Sequence, residues 1–106
     1  MATPSTNRKP DASGKPSYIF NKTYITTQTT TLVKTGEGFL HSITFNKPVA
    51  TGTCELDDAL TNTNPFAIIT TPTSPMPVTL VYDVEFTTGL SITTGTASQD
   101  ITVSWI

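Results

Sequence analysis

The sequence has a single cysteine among its 106 residues, Cys54, so no intrachain disulfide can staple it. Histidine is equally scarce, with His41 the only one. Charged residues make up 13% and hydrophobic residues 36%, both low for a globular domain. Alanine, glutamate, lysine and leucine are too few for a coiled coil. No apolar run approaches the ~20 residues of a membrane helix, and none is expected to enter a bilayer. The opening Met1-Ala2-Thr3-Pro4-Ser5-Thr6-Asn7 lacks the apolar stretch of a signal peptide. Threonine fills the gap, at 24 residues. Its branched Cβ suits strands, but it buries little apolar area, and a chain near 100 residues has little stability to spare. A small Thr-rich core therefore predicts association with further copies.

The same scarcity limits chemistry. A nucleophile motif that would use His41 in a Ser-His-Asp arrangement is missing. His41 with Cys54 supplies only two metal ligands. Asp57 and Asp58, followed by Asn62 and Asn64, offer oxygen ligands, but their spacing fits no EF-hand and reads better as turn chemistry. No glycine loop for phosphates is present. The expectation is a non-enzyme with no cofactor and no bound metal.

From residue 17 onward, apolar residues recur at period two between turn residues. Residues 24–33 read as one long Thr-rich strand. Residues 39–46 alternate, with Phe39, His41, Ile43 and Phe45 on one face. Residues 51–56 give a third strand and residues 66–70 a short fourth. The three prolines of residues 71–77 exclude a central strand there. Residues 78–86 carry the strongest pattern, with Val78, Leu80, Tyr82, Val84 and Phe86 facing one way. Residues 90–93 and 101–106 complete the set, the last placing Ile101, Val103 and Trp105 together. No 3.6-residue period persists beyond a turn. The pattern predicts an all-β fold, a single antiparallel β-sandwich of about seven strands, jelly-roll or Ig-like. Its core would hold the three apolar faces, His41 among them.

Charge divides the chain. Residues 1–22 hold Arg8, Lys9, Lys15 and Lys22 against Asp11, a net +3; residues 23–106 hold two bases against seven acids, a net −5. Residues 1–17 also carry Pro4, Pro10, Gly14 and Pro16 and bury too little to order themselves. They predict an extended N-terminal arm before a sandwich domain at residues 18–106. Its basic groups Arg8, Lys9 and Lys15, with Tyr18, Phe20 and Lys22 where it meets the body, are the candidate partner-binding residues, set against a neighbouring copy or another acidic protein. Basic residues spread this thinly make a poor nucleic-acid footprint, and no nucleic-acid partner is expected.

Several segments also carry a likeness. Leu40-His41-Ser42-Ile43-Thr44-Phe45-Asn46 is one. Tyr82-Asp83-Val84-Glu85-Phe86 with Thr88-Gly89-Leu90-Ser91-Ile92 is another, and Asp100-Ile101-Thr102-Val103-Ser104 a third. In their order they resemble small β-sandwich virion proteins of tailed bacteriophages, of the capsid decoration (cement) type. Leu32-Val33-Lys34 before Gly36 belongs to the same pattern; the stretch from Cys54 to Pro77 departs from it. The resemblance implies a homotrimer on the capsid exterior, assembled in the host cytoplasm, with the major capsid protein as partner and the arm as clamp. An alternative is a head-fibre, tail-fibre or receptor-binding module whose residues 71–77 contact a host surface. A carbohydrate-binding domain would need exposed aromatics, for which Tyr24 and Phe66 are the candidates.

Overall fold

The computed structural model describes residues 20–48, 52–71 and 76–106. Among them lie eight strands: β1 Asn21–Ile25, β2 Thr30–Thr35, β3 Gly38–Phe45, β4 Thr53–Asp57, β5 Pro65–Thr70, β6 Val78–Phe86, β7 Gly89–Gly95 and β8 Ile101–Trp105. All pairs are antiparallel: β1 with β8, β2 with β7, β3 with β6 and β4 with β5. The chain is thus one long hairpin that doubles back after β4. Successive pairs fall alternately into two sheets, which β3–β8 and β4–β7 contacts complete. Sheet I has the order β1-β8-β3-β6 and sheet II the order β2-β7-β4-β5. This is the jelly-roll arrangement of two four-stranded sheets, which decides between the two sandwich types that the periodicity allowed.

The expected strand at residues 24–33 is two strands in different sheets. Nothing in Thr26-Thr27-Gln28-Thr29 breaks a strand by propensity. The crossing is fixed by tertiary contacts instead: Thr94 on β7 donates its hydroxyl to the Thr27 carbonyl, and that hydroxyl accepts from the Thr29 amide at 3.2 Å.

The core lies between the sheets. Ile25, Leu40, Ile43, Phe45, Phe86, Ile101 and Val103 enter from sheet I; Cys54, Leu56, Leu90 and Ile92 enter from sheet II. The period-two reading holds for β6, where Leu80, Tyr82 and Val84 pack on this core and Phe86 is buried in it. It fails on β3. Leu40 pairs with Trp105 and Ser42 with Ser104, so His41 is an extra residue in the ladder with β8. The bulge shifts the parity of the strand. Leu40 and Ile43 are buried, while His41 is displaced from the core and lies half-exposed against Asp83.

Close packing at the strand ends is set by small residues. At Gly38 a Cβ would lie 2.5 Å from the Ile106 carbonyl oxygen and 2.6 Å from the Phe86 ring. The missing side chain lets Phe39 and Ile106 exchange two backbone hydrogen bonds, of 3.0 and 2.9 Å, that extend the β3–β8 ladder.

Candidate interaction surfaces

Two surfaces carry side chains that the core does not use. The first is the outer face of sheet I around the bulge. On β6, Tyr82 and Asp83 together oppose the single residue His41, and Asp83 takes a left-handed φ of 50°. A non-glycine residue rarely adopts this conformation. Here it turns the carboxylate onto His41, whose Nδ1 lies 2.6 Å from Asp83 Oδ1. The Phe20 ring stacks flat on the imidazole, with centroids 4.3 Å apart and 6° between planes. Further along the face, Tyr24 donates its hydroxyl to Asp100, which also accepts from Asn46. That hydrogen bond, to an oxygen carrying negative charge, raises the Tyr24 pKa. Thr44 and Thr79 share a hydroxyl hydrogen bond.

The second surface is the side of the sandwich where β5 and β6 form the edges of their sheets. Phe66 on β5 and Tyr82 on β6 meet edge-on, centroids 6.4 Å apart. On these strands Phe66 and Ile68 of β5 and Val81 of β6 are 40, 67 and 62% exposed, and Met76, just before β6, is 65% exposed. Among the described residues no further strand pairs with the outer edges of β5 and β6, and apolar side chains of this size beside such edges are what neighbouring chains add to. The opposite side, β1 and β2, exposes Tyr24 and Leu32. Tyr24 and Phe66 therefore stand on opposite sides and make no shared stacking platform, contrary to what a carbohydrate site would need.

The acids of the loop after β4 are engaged structurally. Asp58 accepts backbone hydrogen bonds from Thr87, Thr88 and Gly89, at 3.0, 2.8 and 3.4 Å, and the Thr87 hydroxyl. Partial desolvation pushes its pKa up, but these donors together outweigh it and the net shift is downward. Asp57 is buried and accepts from the Asn64 amide. Glu55 lies beside it, and the hydrogen bond to Asp57, then desolvation, raise the Glu55 pKa. The two aspartates thus do the turn work expected of them. Among the described residues no group of three or more His, Cys, Asp or Glu is placed to hold a metal ion. Cys54 is buried, and desolvation pushes its thiol up to about 12.

Of the candidate arm residues, Phe20 is half-buried on His41 and Lys22 is exposed on β1. Arg8, Lys9, Lys15 and Tyr18 lie outside the described residues, as does most of the proline-rich loop. Sequence reasoning missed Ile68, Val81 and Asp83. Val81 and Asp83 sit at the polar parity of β6, where only an exposed valine departs from the pattern.

No family model matches the chain, and no curated protein does. Among solved structures, the fold matches the core of the Drosophila protein NLP. That match has a TM-score of 0.52 at 14% identity and covers 83% of this chain and 96% of the other. The crystal structure of that core is described as giving insight into pentamer formation and histone binding. The match is a likeness of fold.

It corrects the virion resemblance. The fold found is shared with the NLP core, a structure described in terms of pentamer formation and histone binding, and that finding supports neither a capsid decoration protein nor a fibre or receptor-binding module. The corrections extend to the major capsid protein as partner, the homotrimer and the capsid exterior as location. The physical reason lies in the motifs that carried the likeness. Leu40 to Phe45 and Tyr82 to Phe86 lie in the paired strands β3 and β6, Thr88 is in the turn that follows β6, and Gly89 opens β7. Such strand-and-turn patterns are common to sandwiches of unrelated function.

Proposed function

We propose that this protein is a non-catalytic, self-associating binding module. Its copies meet along the β5–β6 side, and the assembly presents acidic surface to a basic polypeptide. The observation that carries this reading is that β5 and β6, the edge strands at this side, each carry large exposed apolar residues, Phe66 and Ile68 on β5 and Val81 on β6. Burying such side chains against another copy adds the apolar area that a Thr-rich core lacks, worth roughly 25 cal/mol per Å². The matched NLP core, a structure described in terms of pentamer formation, supports assembly through this kind of sandwich. Residues 20–106 hold three bases against seven acids, and the NLP core's histone binding points to a basic partner.

Sedimentation velocity tests the assembly, and titration with purified core histones tests the partner. The full chain should sediment as a homo-oligomer at micromolar concentration. The double variant Ile68→Lys, Val81→Lys should sediment at monomer mass with its β-sheet circular dichroism intact. A monomeric parent, or an unchanged mass in the variant, refutes the interface. Histone binding that is absent at low salt refutes the partner class and leaves the assembly standing.

A further inference from the structure

The loop after β4 folds back over the outer face of sheet II. Cys54 and Leu56 point into the core, so Thr53, Glu55 and Asp57 stand on the opposite face of β4. The Asn64 amide reaches Asp57 Oδ2 at 2.9 Å, and the Ser91 hydroxyl donates to the Thr61 carbonyl at 3.0 Å. These contacts close the loop over Asp57, which is fully buried although it faces away from the core. Its second oxygen, Oδ1, meets no hydrogen-bond donor among the described residues. A buried carboxylate oxygen left without a donor is costly.

Glu55 is the neighbour that can serve it. The two carboxyls are hydrogen-bond partners on one face of β4. Two ionised carboxylates repel and offer no donor between them, whereas a protonated Glu55 donates to Asp57. The elements packed around the pair bring no positive side chain to it among the described residues. The register partners of Glu55 and Asp57 are Ile68 and Pro65 on β5 and Thr93 and Ser91 on β7. Beyond β7, the partners on β2 are Thr30 and Leu32. Asp58 in the loop is turned to the amides of Thr87, Thr88 and Gly89, and Lys34 on β2 donates to the Glu37 carbonyl. Among the described residues no third acid, histidine or cysteine joins the pair to make a metal site, so the ligand it fits is a proton.

The pair also borders the interface between copies. Glu55 stands directly across from the exposed Ile68, and such partners have Cβ atoms about 5 Å apart. A second copy seated on Ile68 therefore lies over Glu55 and takes it further from water. That disfavours the ionised form, so Glu55 takes up a proton as copies meet. We propose that Glu55 and Asp57 share one proton, and that uptake of this proton tightens the assembly of copies over Ile68. The gating rests on the β5–β6 interface proposed above; the proton sharing does not. A carboxyl that binds its proton more tightly in the assembled state makes assembly stronger as pH falls between its value there and its value in the free chain. The effect reaches up to about tenfold per pH unit for each Glu55 covered. Outside that range the pair adds no pH dependence.

Sedimentation velocity of the full chain and of Glu55→Gln, at pH 7.5 and pH 5.5, tests the gating. The glutamine amide donates to Asp57 at either pH and stands for the protonated state. The parent's dissociation constant should fall at least about threefold between pH 7.5 and pH 5.5. At pH 7.5 the variant should assemble at least about threefold more tightly than the parent, and it should change less on acidification. Loss of net charge in acid acts on both chains, so the difference between them isolates the pair. A variant with the parent's affinity and pH dependence overturns the gating. Carbon-13 titration of the Glu55 carboxyl, in chain diluted below the assembly midpoint, tests the sharing. Its midpoint should lie above the ordinary glutamate value of about 4.3 and fall back toward it in Asp57→Asn. An ordinary midpoint in the parent overturns the sharing, and the parent decides alone if Asp57→Asn does not fold. A parent that is monomeric at both pH values refutes the interface and the gating with it, while the titration still decides the sharing. An oligomer whose affinity ignores Glu55 refutes the gating and leaves the interface standing.

Discussion

Replacing Asp58 with alanine should loosen the junction between the β4–β5 loop and the β6–β7 turn. One carboxylate there receives three backbone amides and a hydroxyl, the shortest at 2.8 Å. A hydrogen bond to a charged acceptor contributes about 1.5–3 kcal/mol net in a favourable site. The four donors share one side chain that is only partly buried, and solvent reaches the freed amides. The whole cluster is therefore worth about 2–3 kcal/mol, less than the sum of its members. Urea unfolding at pH 7 and fixed protein concentration should show a loss of this size with an unchanged slope. The pH dependence follows from the lowered carboxyl pKa. A carboxylate whose folded pKa lies below its unfolded value contributes stability above the unfolded value, and that stability is lost as pH falls through the folded value. The gap between parent and variant should stay constant from neutrality down to the ordinary aspartate range, then narrow in stronger acid. A gap under about 0.5 kcal/mol at pH 7, within the range of ordinary surface substitutions, refutes the reasoning. So does a gap of full size that persists in acid.

Two further outcomes follow from packing. Gly38→Ala places a methyl within 2.5 Å of the Ile106 carbonyl oxygen, which can yield only by moving backbone. It should cost about 1–3 kcal/mol, read as a lower urea midpoint. Cys54, buried with its thiol pushed up to about 12, should resist a disulfide-exchange reagent in the native protein at pH 8 and react only as fast as the chain opens, followed by absorbance.

The legible parts of the fold were those set by local pattern. Val78 to Phe86 alternates except at Val81, and β6 has those same bounds with Leu80, Tyr82, Val84 and Phe86 packed on the core. Ile101 and Val103 are likewise buried as the alternation implies. The misreadings come from contacts distant in sequence. Residues 26–29 have strand propensity throughout, yet the chain changes sheets there because Thr94, some 65 residues on, takes up the backbone. His41 continues the alternation of β3 as a string of letters, but the extra residue in the ladder with β8 turns it outward onto Asp83. A bulge leaves little trace in composition when no glycine marks it. The exposed side of the sandwich was hidden for a related reason: Ile68 and Val81 are strand formers on any reading, and only the strand order makes β5 and β6 edges. The virion likeness failed on the same ground, because strand and turn motifs report a sandwich without reporting what it binds.

Hydrogen exchange at two protein concentrations tests most directly where copies meet. Backbone amides of β5 and β6, at residues 65–70 and 78–86, should exchange more slowly in the concentrated sample than in one diluted below the assembly midpoint. Amides of β1 and β2, at residues 21–25 and 30–35, should exchange alike in both. Concentration-dependent protection on β1 and β2 instead, or none on β5 and β6 while the protein sediments as an oligomer, contradicts the β5–β6 interface.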